Sequence, residues 1–164
     1  MQPVVGDLKV NDYGSDRSGE TFELNRYSVN LTRYGIGVRL TASERVGVHE
    51  YTFPASDQAK ILFDAGSHMK VGYGESQQLV ASGVKVLSDT EVEGYSTVKG
   101  GWNMGDAYTV YFYARTDTPA KSTKVWKGSA VSEDKEISAT GSDKNKATPK
   151  QANTRPNKIQ QPPF

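Results

Sequence analysis

The chain has 164 residues, a formal net charge of +1, 35% hydrophobic residues and no cysteine. That length suits one domain with a real core and hardly two. The near-neutral charge argues against an electrostatic grip on nucleic acid or acidic membrane, and the lack of cysteine removes disulfides, thiolate nucleophiles and zinc–cysteine or iron–sulfur ligation.

The first five residues, Met1-Gln2-Pro3-Val4-Val5, show no basic region leading into a long apolar stretch, so no signal peptide is visible. Nowhere does an apolar run approach the roughly 18 residues of a membrane span. Residues 6–26 are polar and rich in Asp, Gly and Ser, with Tyr13 and Phe22 as isolated apolar anchors. Residues 1–26 are therefore expected to be a loop or an edge segment.

From Tyr27 the pattern becomes that of strands. Tyr27-Ser28-Val29-Asn30-Leu31 alternates with period two and leads into the turn Arg33-Tyr34-Gly35. Ile36 to Ala42 continues the alternation, with Ile36, Val38, Leu40 and Ala42 on one face and Gly37, Arg39 and Thr41 on the other. Val46–Phe53 forms the next strand, stopped by Pro54 because proline cannot donate to the ladder. Lys60–Asp64 follows, then strands at 78–87, 91–98, 107–115 and 123–126, with the polar turn Ser88-Asp89-Thr90 between the first two of these. No segment sustains an apolar period near 3.6, so helices should be few. Many short strands with glycine-rich turns predict an all-β antiparallel β-sandwich, partial in extent, over 27–141. From Ser142 to Phe164 the composition shifts to Lys, Asn, Gln, Thr and Pro, with no acidic residue after Asp143. Such a stretch has little to bury, and 142–164 is expected to be a disordered tail.

The polar residues that carry chemistry elsewhere are poorly arranged here. Asp89, Glu91 and Glu93 cluster, but on a turn and one face of a short strand, where alternation turns the glutamates to solvent. Only two histidines occur, His49 and His68, and neither pairs recognisably with a serine. His49 shares a strand face with Tyr51 and Phe53, which predicts an inner-face histidine with its polar atoms satisfied. Ala65-Gly66-Ser67-His68 lacks the second glycine of a nucleophile elbow. Gly6-Asp7, Gly72-Tyr73-Gly74 and Gly100-Gly101 precede no lysine–serine pair or helix and read as turns rather than phosphate loops. Basic residues are not interleaved with aromatics as a nucleic-acid stacking platform requires. No catalytic residue and no metal site are expected.

The aromatic pattern has more colour. In Tyr108-Thr109-Val110-Tyr111-Phe112-Tyr113-Ala114-Arg115, alternation separates Tyr108, Val110 and Phe112 from Tyr111, Tyr113 and Arg115. One face must fill the core; the other stacks on sugar or packs against a neighbour, since tyrosine joins an apolar body to a polar tip. Just ahead, Gly100-Gly101-Trp102-Asn103-Met104-Gly105 presents a tryptophan and an asparagine from a glycine-bounded loop. A ring and an amide together suit a sugar, though a loop tryptophan also serves as a lid on the core.

Taken together, several motifs resemble a known family. Tyr27-Ser28-Val29 with Leu31, then Leu40-Thr41-Ala42, then Arg45-Val46-Gly47-Val48-His49-Glu50-Tyr51-Thr52-Phe53-Pro54 are similar to the N-terminal domain of glycoside hydrolase family 92, the calcium-dependent exo-acting α-mannosidases. The family's apolar strand ending in Asp corresponds to Ile61-Leu62-Phe63-Asp64. Gly94-Tyr95, Gly100-Gly101-Trp102, Val110-Tyr111-Phe112 and Val125-Trp126-Lys127-Gly128 match later segments, so the likeness spans about 27–141.

The resemblance implies an N-terminal β-sandwich joined to a large α-helical barrel. The catalytic acid, the base and the calcium ligands belong to that barrel, so this chain alone is expected to bind no cofactor and to be inactive. It implies that Trp102 and Asn103, in the glycine-rich loop, contribute to a pocket for mannose-containing glycan. It further implies a helical catalytic domain as partner and a periplasmic or secreted location. The composition change suggests truncation, with a shifted reading frame at about Gly141 to Lys146. The alternative is a free-standing carbohydrate-binding or structural surface module.

Overall fold

A computed structural model describes residues 1–68, 77–101, 103–140 and 150–155, with Asn103, Met104 and 150–155 described as backbone alone. Thirteen strands make up the regular structure of these residues, and no helix among them is long and apolar enough to cross a membrane. The all-β antiparallel class expected from the alternation is the class observed.

One sheet runs in the order β1 (Gln2–Val5), β6 (Ala59–Asp64), β13 (Lys150–Arg155), β10 (Thr123–Lys127) and β11 (Ala130–Ser132). A second is ordered β12 (Glu136–Thr140), β7 (Gln78–Val86), β8 (Glu91–Gly100) and β9 (Asn103–Arg115). The third is a meander of β2 (Arg17–Glu23), β3 (Arg26–Leu31), β4 (Ile36–Ala42) and β5 (Gly47–Thr52). Each pairing is antiparallel.

The β3–β4 hairpin shows how the pattern acts. Val29 faces Val38 and Leu31 faces Ile36 across the ladder, and all four are buried, while Arg39 and Asn30 point to solvent. A one-residue slip would exchange those two sets, so burial of one face fixes the register. Gly35 closes the hairpin at a φ of 60°, a left-handed conformation that costs a glycine little.

Strand β6 is buried on both faces. Ile61 and Phe63 enter the main core with Val29, Val38, Tyr51 and Val84, so that core joins all three sheets. Leu62 points the other way, into a second cluster with Val4, Val10 and Trp126. The continuous run Ile61-Leu62-Phe63 is what such a doubly covered strand requires. Two edge strands, β1 and β2, come from residues 1–26.

One strand falls inside the stretch that composition leaves unpacked. Lys150–Arg155 lies between β6 and β10 and pairs with both. Its basis is the backbone: a strand inserted there gives two neighbouring edges their ladder partners, a contribution that side-chain composition does not register.

Truncating Leu62 to alanine should cost ~2–5 kcal/mol of unfolding free energy, the range for a buried leucine. Leu24→Ala, at a fully exposed hairpin tip, should stay within about 0.5 kcal/mol of the parent. Urea unfolding of the two variants side by side measures this; similar losses in both would contradict the two-sided burial of β6.

Candidate functional site

The β8–β9 hairpin gathers the aromatic residues. Its strands pair from Glu91 opposite Arg115 to Val98 opposite Tyr108, with an irregularity before the Gly100–Asn103 pair. Period two assigns Tyr108, Val110, Phe112 and Ala114 to the core side of β9, and Thr109, Tyr111, Tyr113 and Arg115 to the outer side. Phe112 stacks on Phe63 with centroids 6.5 Å apart and planes 4° from parallel, which anchors β9 to β6.

Two glycines make room for rings across the ladder. A Cβ on Gly94 would stand 2.6 Å from the Phe112 ring, and one on Gly83 would stand 2.5 Å from Tyr95 Cε1. Those distances are below any real contact, so Phe112 covers Gly94 on the core side and Tyr95 lies across Gly83 on the outer side. Rings laid over strand glycines restore packing that glycine itself cannot supply.

The outer face is thus a row of tyrosines among hydroxyls. Tyr95 and Tyr111 sit opposite each other, with ring centroids 6.2 Å apart and tilted by 45°. Tyr113 donates its hydroxyl to Glu91 Oε1 at 2.6 Å, which pushes its phenol pKa up. Thr97 and Thr109 share a hydrogen bond of 2.8 Å between their hydroxyls. Tyr111 and Tyr113 are 77% and 57% exposed.

Toward the hairpin tip the core side is also uncovered, with Tyr108 41% and Val110 56% exposed. Beside Val110, the hydroxyls of Ser82 and Ser96 are buried and lack a hydrogen-bond partner among the described residues. No strand among the described residues pairs with the far edge of β9.

The tip carries the two residues expected to meet substrate. Trp102 lies outside the described residues. Asn103 starts β9 opposite Gly100, with only its backbone described. Gly100 and Gly101 both take positive φ, 82° and 72°, the conformation that lets this hairpin turn.

The remaining polar candidates serve as braces. Glu91 accepts from Tyr113 at Oε1 and from Ser88 at Oε2, while Glu93 is exposed opposite Tyr113. His49 is half-buried, with Nδ1 2.9 Å from the Tyr51 hydroxyl and the two rings edge to face. His68 lies 3.2 Å from the Gly66 carbonyl through Nδ1, next to the Asp64 side chain that accepts from Gly66 N. Among the described residues, no three His, Cys, Asp or Glu side chains could hold a metal ion together.

Tyr95 is the residue that alternation alone undervalues. Its partner signal is Gly83, a glycine inside the neighbouring strand directly opposite it, which marks the close approach of a ring.

A family model described as the glycosyl hydrolase family 92 N-terminal domain matches residues 1–156. The match runs further at both ends than the 27–141 stretch that carries the sequence motifs, and past Gly141–Lys146. Two solved structures of the family GH92 alpha-mannosidase BT3965 from Bacteroides thetaiotaomicron, one in complex with mannoimidazole, share the fold with a TM-score of 0.72 and 24% identity. They cover 95% of this chain, and the chain spans 21% and 22% of theirs, about a fifth of the length of those enzymes. No curated protein sequence matches.

Burial, and then the positive N-terminus, hold the His49 imidazole below its ordinary 6.5. Protonation is therefore easier in the unfolded chain, so the stability tied to neutral His49 is present above pH 6.5 and is lost as pH falls through the lower folded value. Thermal unfolding across pH 7.5 to 5 should show this loss, and His49→Gln should flatten it; an unchanged slope in the variant would assign the dependence elsewhere.

Proposed function

The chain belongs to the glycosyl hydrolase family 92 N-terminal domain family, and we propose that it is the carbohydrate-handling module of an α-mannosidase-like enzyme. In this reading it shapes the rim of the substrate pocket and supports a catalytic domain carried elsewhere in a longer polypeptide. The observation that carries it is β9. Among the described residues this strand has a partner on one side only, and it leaves Tyr108 and Val110 exposed on the side that elsewhere forms the core.

A long edge strand with uncovered apolar side chains is a liability that proteins manage by covering it. Between Gly105 and Arg115 it has no proline or lysine to discourage pairing. A partner of the same enzyme is the simplest cover, because the solved mannosidases are about five times longer than this chain. The hairpin tip then falls at the seam between the two parts, where ligand sites commonly form.

In that position Trp102 would offer a ring face to a sugar and Asn103 an amide to its hydroxyls. The acid, the base and the calcium ion would come from the catalytic domain, since no ligand set for the metal is assembled among the described residues here. Mannose-containing glycan is the proposed ligand, and the proposed location is outside the cytoplasm.

By itself the chain should release no mannose from α-mannosides but should retain affinity for mannose polymer. Trp102→Ala should weaken that affinity about tenfold, the ~1.4 kcal/mol scale of one good aromatic contact. Retention on immobilised mannose polymer, measured for both proteins, decides the point; equal retention would remove Trp102 from the pocket. The uncovered edge makes a second prediction. The isolated chain should bind a hydrophobic dye and self-associate in sedimentation, and Val110→Lys should reduce both. A dye-silent monomer would count against a missing cover on β9.

A further inference from the structure

The outer side of the β7–β8–β9 sheet differs in chemistry from the uncovered core side of the same strand. Its three central cross-strand rows are Lys85–Glu93–Tyr113, Gly83–Tyr95–Tyr111 and Ala81–Thr97–Thr109. There is no Leu, Ile, Val, Met or Phe in these rows. Rings and hydroxyls share this face, flanked by one carboxylate and one ammonium group, and Tyr111 and Tyr113 are exposed on it.

We propose that this outer face is a second glycan-binding surface, on which Tyr95, Tyr111 and Tyr113 stack against successive sugars of a polysaccharide lying across the strands. The proposal rests on the reading of the chain as a carbohydrate-handling module, but it concerns residues apart from the Trp102 tip.

Three observations carry it. The Tyr95 ring is half-buried and lies across Gly83, in space that any side chain there would fill, which limits the rotamers open to it. Tyr113 is held by Glu91, and Tyr111 packs beside Tyr95. Rings ordered before binding lose little conformational entropy when a ligand arrives. Next, the hydroxyls of Thr97 and Thr109 stand in the row beside the Tyr95–Tyr111 pair, where sugar hydroxyls would exchange hydrogen bonds with them. Finally, the face is a sheet surface rather than a concavity, which suits an extended chain and not the buried hold a single sugar needs.

A polypeptide partner is the less fitting occupant. Protein interfaces favour tyrosine but deplete Lys, Glu and Ala from their desolvated centre, and Lys85, Glu93 and Ala81 all stand in these three rows. Here the aliphatic residues lie on the opposite side of β9, at Val110, and the outer side carries exposed Tyr111 and Tyr113 between Glu93 and Thr109.

The test is affinity electrophoresis of the whole chain in soluble α-mannan, for the parent, Tyr111→Ala, Tyr95→Ala and Trp102→Ala, with Tyr111→Phe as the conservative control. The ring at 111 is mostly exposed, so its loss should leave the unfolding midpoint unchanged. The expected result is a fivefold or greater weakening in Tyr111→Ala and Tyr95→Ala, recovery in Tyr111→Phe, and residual binding in Trp102→Ala. Full binding by both tyrosine variants would overturn the surface while leaving the carbohydrate reading intact. A parent chain that ignores mannan would overturn both. Unchanged mannan binding accompanied by altered self-association of Tyr111→Ala would make this face a protein contact and also end the proposal.

Discussion

Strand β6 must satisfy two apolar layers at once, and the position of every other sheet follows from that demand. Ile61 and Phe63 meet the core that joins the three sheets, and Leu62 meets Trp126 and Val4 on the opposite side. Both of its edges are taken as well, by β1 on one side and β13 on the other. The polar N-terminal segment then closes over the Leu62 side. The Tyr13 hydroxyl donates to Asp64, the Tyr34 hydroxyl donates to the Tyr13 carbonyl at 3.1 Å, and Arg33 grips both oxygens of Asp12. Burial, reinforced by Asp64, pushes the Tyr13 phenol far above its ordinary value, so this closure is made by the neutral hydroxyl as donor. A segment with few apolar residues thereby becomes a lid held by directed bonds rather than by area.

From the other face of β6 the same constraint reaches the candidate site. Phe63 stacks on Phe112, and Phe112 in turn needs Gly94 beneath it. Once that ring is seated, the pleat sends Tyr111 and Tyr113 to the outer side. Tyr95 repeats the arrangement on the outer face over Gly83. Two glycines that would weaken a strand by themselves thus fix the height and direction of the aromatic side chains around them. The geometry of the tyrosine row is consequently a property of the core, and it is set without any contact from a ligand.

Much of this was legible in the residues. Ile36, Val38 and Leu40 alternate with Gly37, Arg39 and Thr41, and the observed faces follow that alternation because one side of the sheet is covered and the other is wet. The Ser88-Asp89-Thr90 turn and the strands on either side of it follow from composition in the same way. The short strands were not legible. Gln2–Val5 and Ala130–Ser132 have too few residues to display a period, and Lys150–Arg155 has hardly any apolar side chain to display one with. Gln2–Val5 and Lys150–Arg155 are strands because of edges supplied by β6 and β10, remote in sequence, and Ala130–Ser132 because it folds straight back on β10. At the site, sequence marked the two-faced aromatic strand correctly but could not say that Phe112 packs against the core while Val110, two residues earlier, is exposed. That difference depends on how far the opposing layer extends, a tertiary quantity with no local signature.

Strand β9 therefore offers two surfaces of different chemistry separated by a single residue step. A helix spreads its side chains around a cylinder, and neighbouring positions there overlap in what they touch. On a strand, consecutive side chains point in opposite directions, so Val110 and Tyr111 face separate partners although they share a peptide bond. The core side presents an exposed aliphatic residue and a ring, Val110 and Tyr108, a surface that polypeptide able to exclude water would complete. The outer side presents rings and hydroxyls that remain compatible with water when empty. A surface of the first kind is costly to leave bare, while one of the second kind is not. The ordering of the two proposed roles follows from that asymmetry: in that reading the bare core side would be covered by the rest of a longer enzyme, and the hydroxylated side would take a ligand that comes and goes.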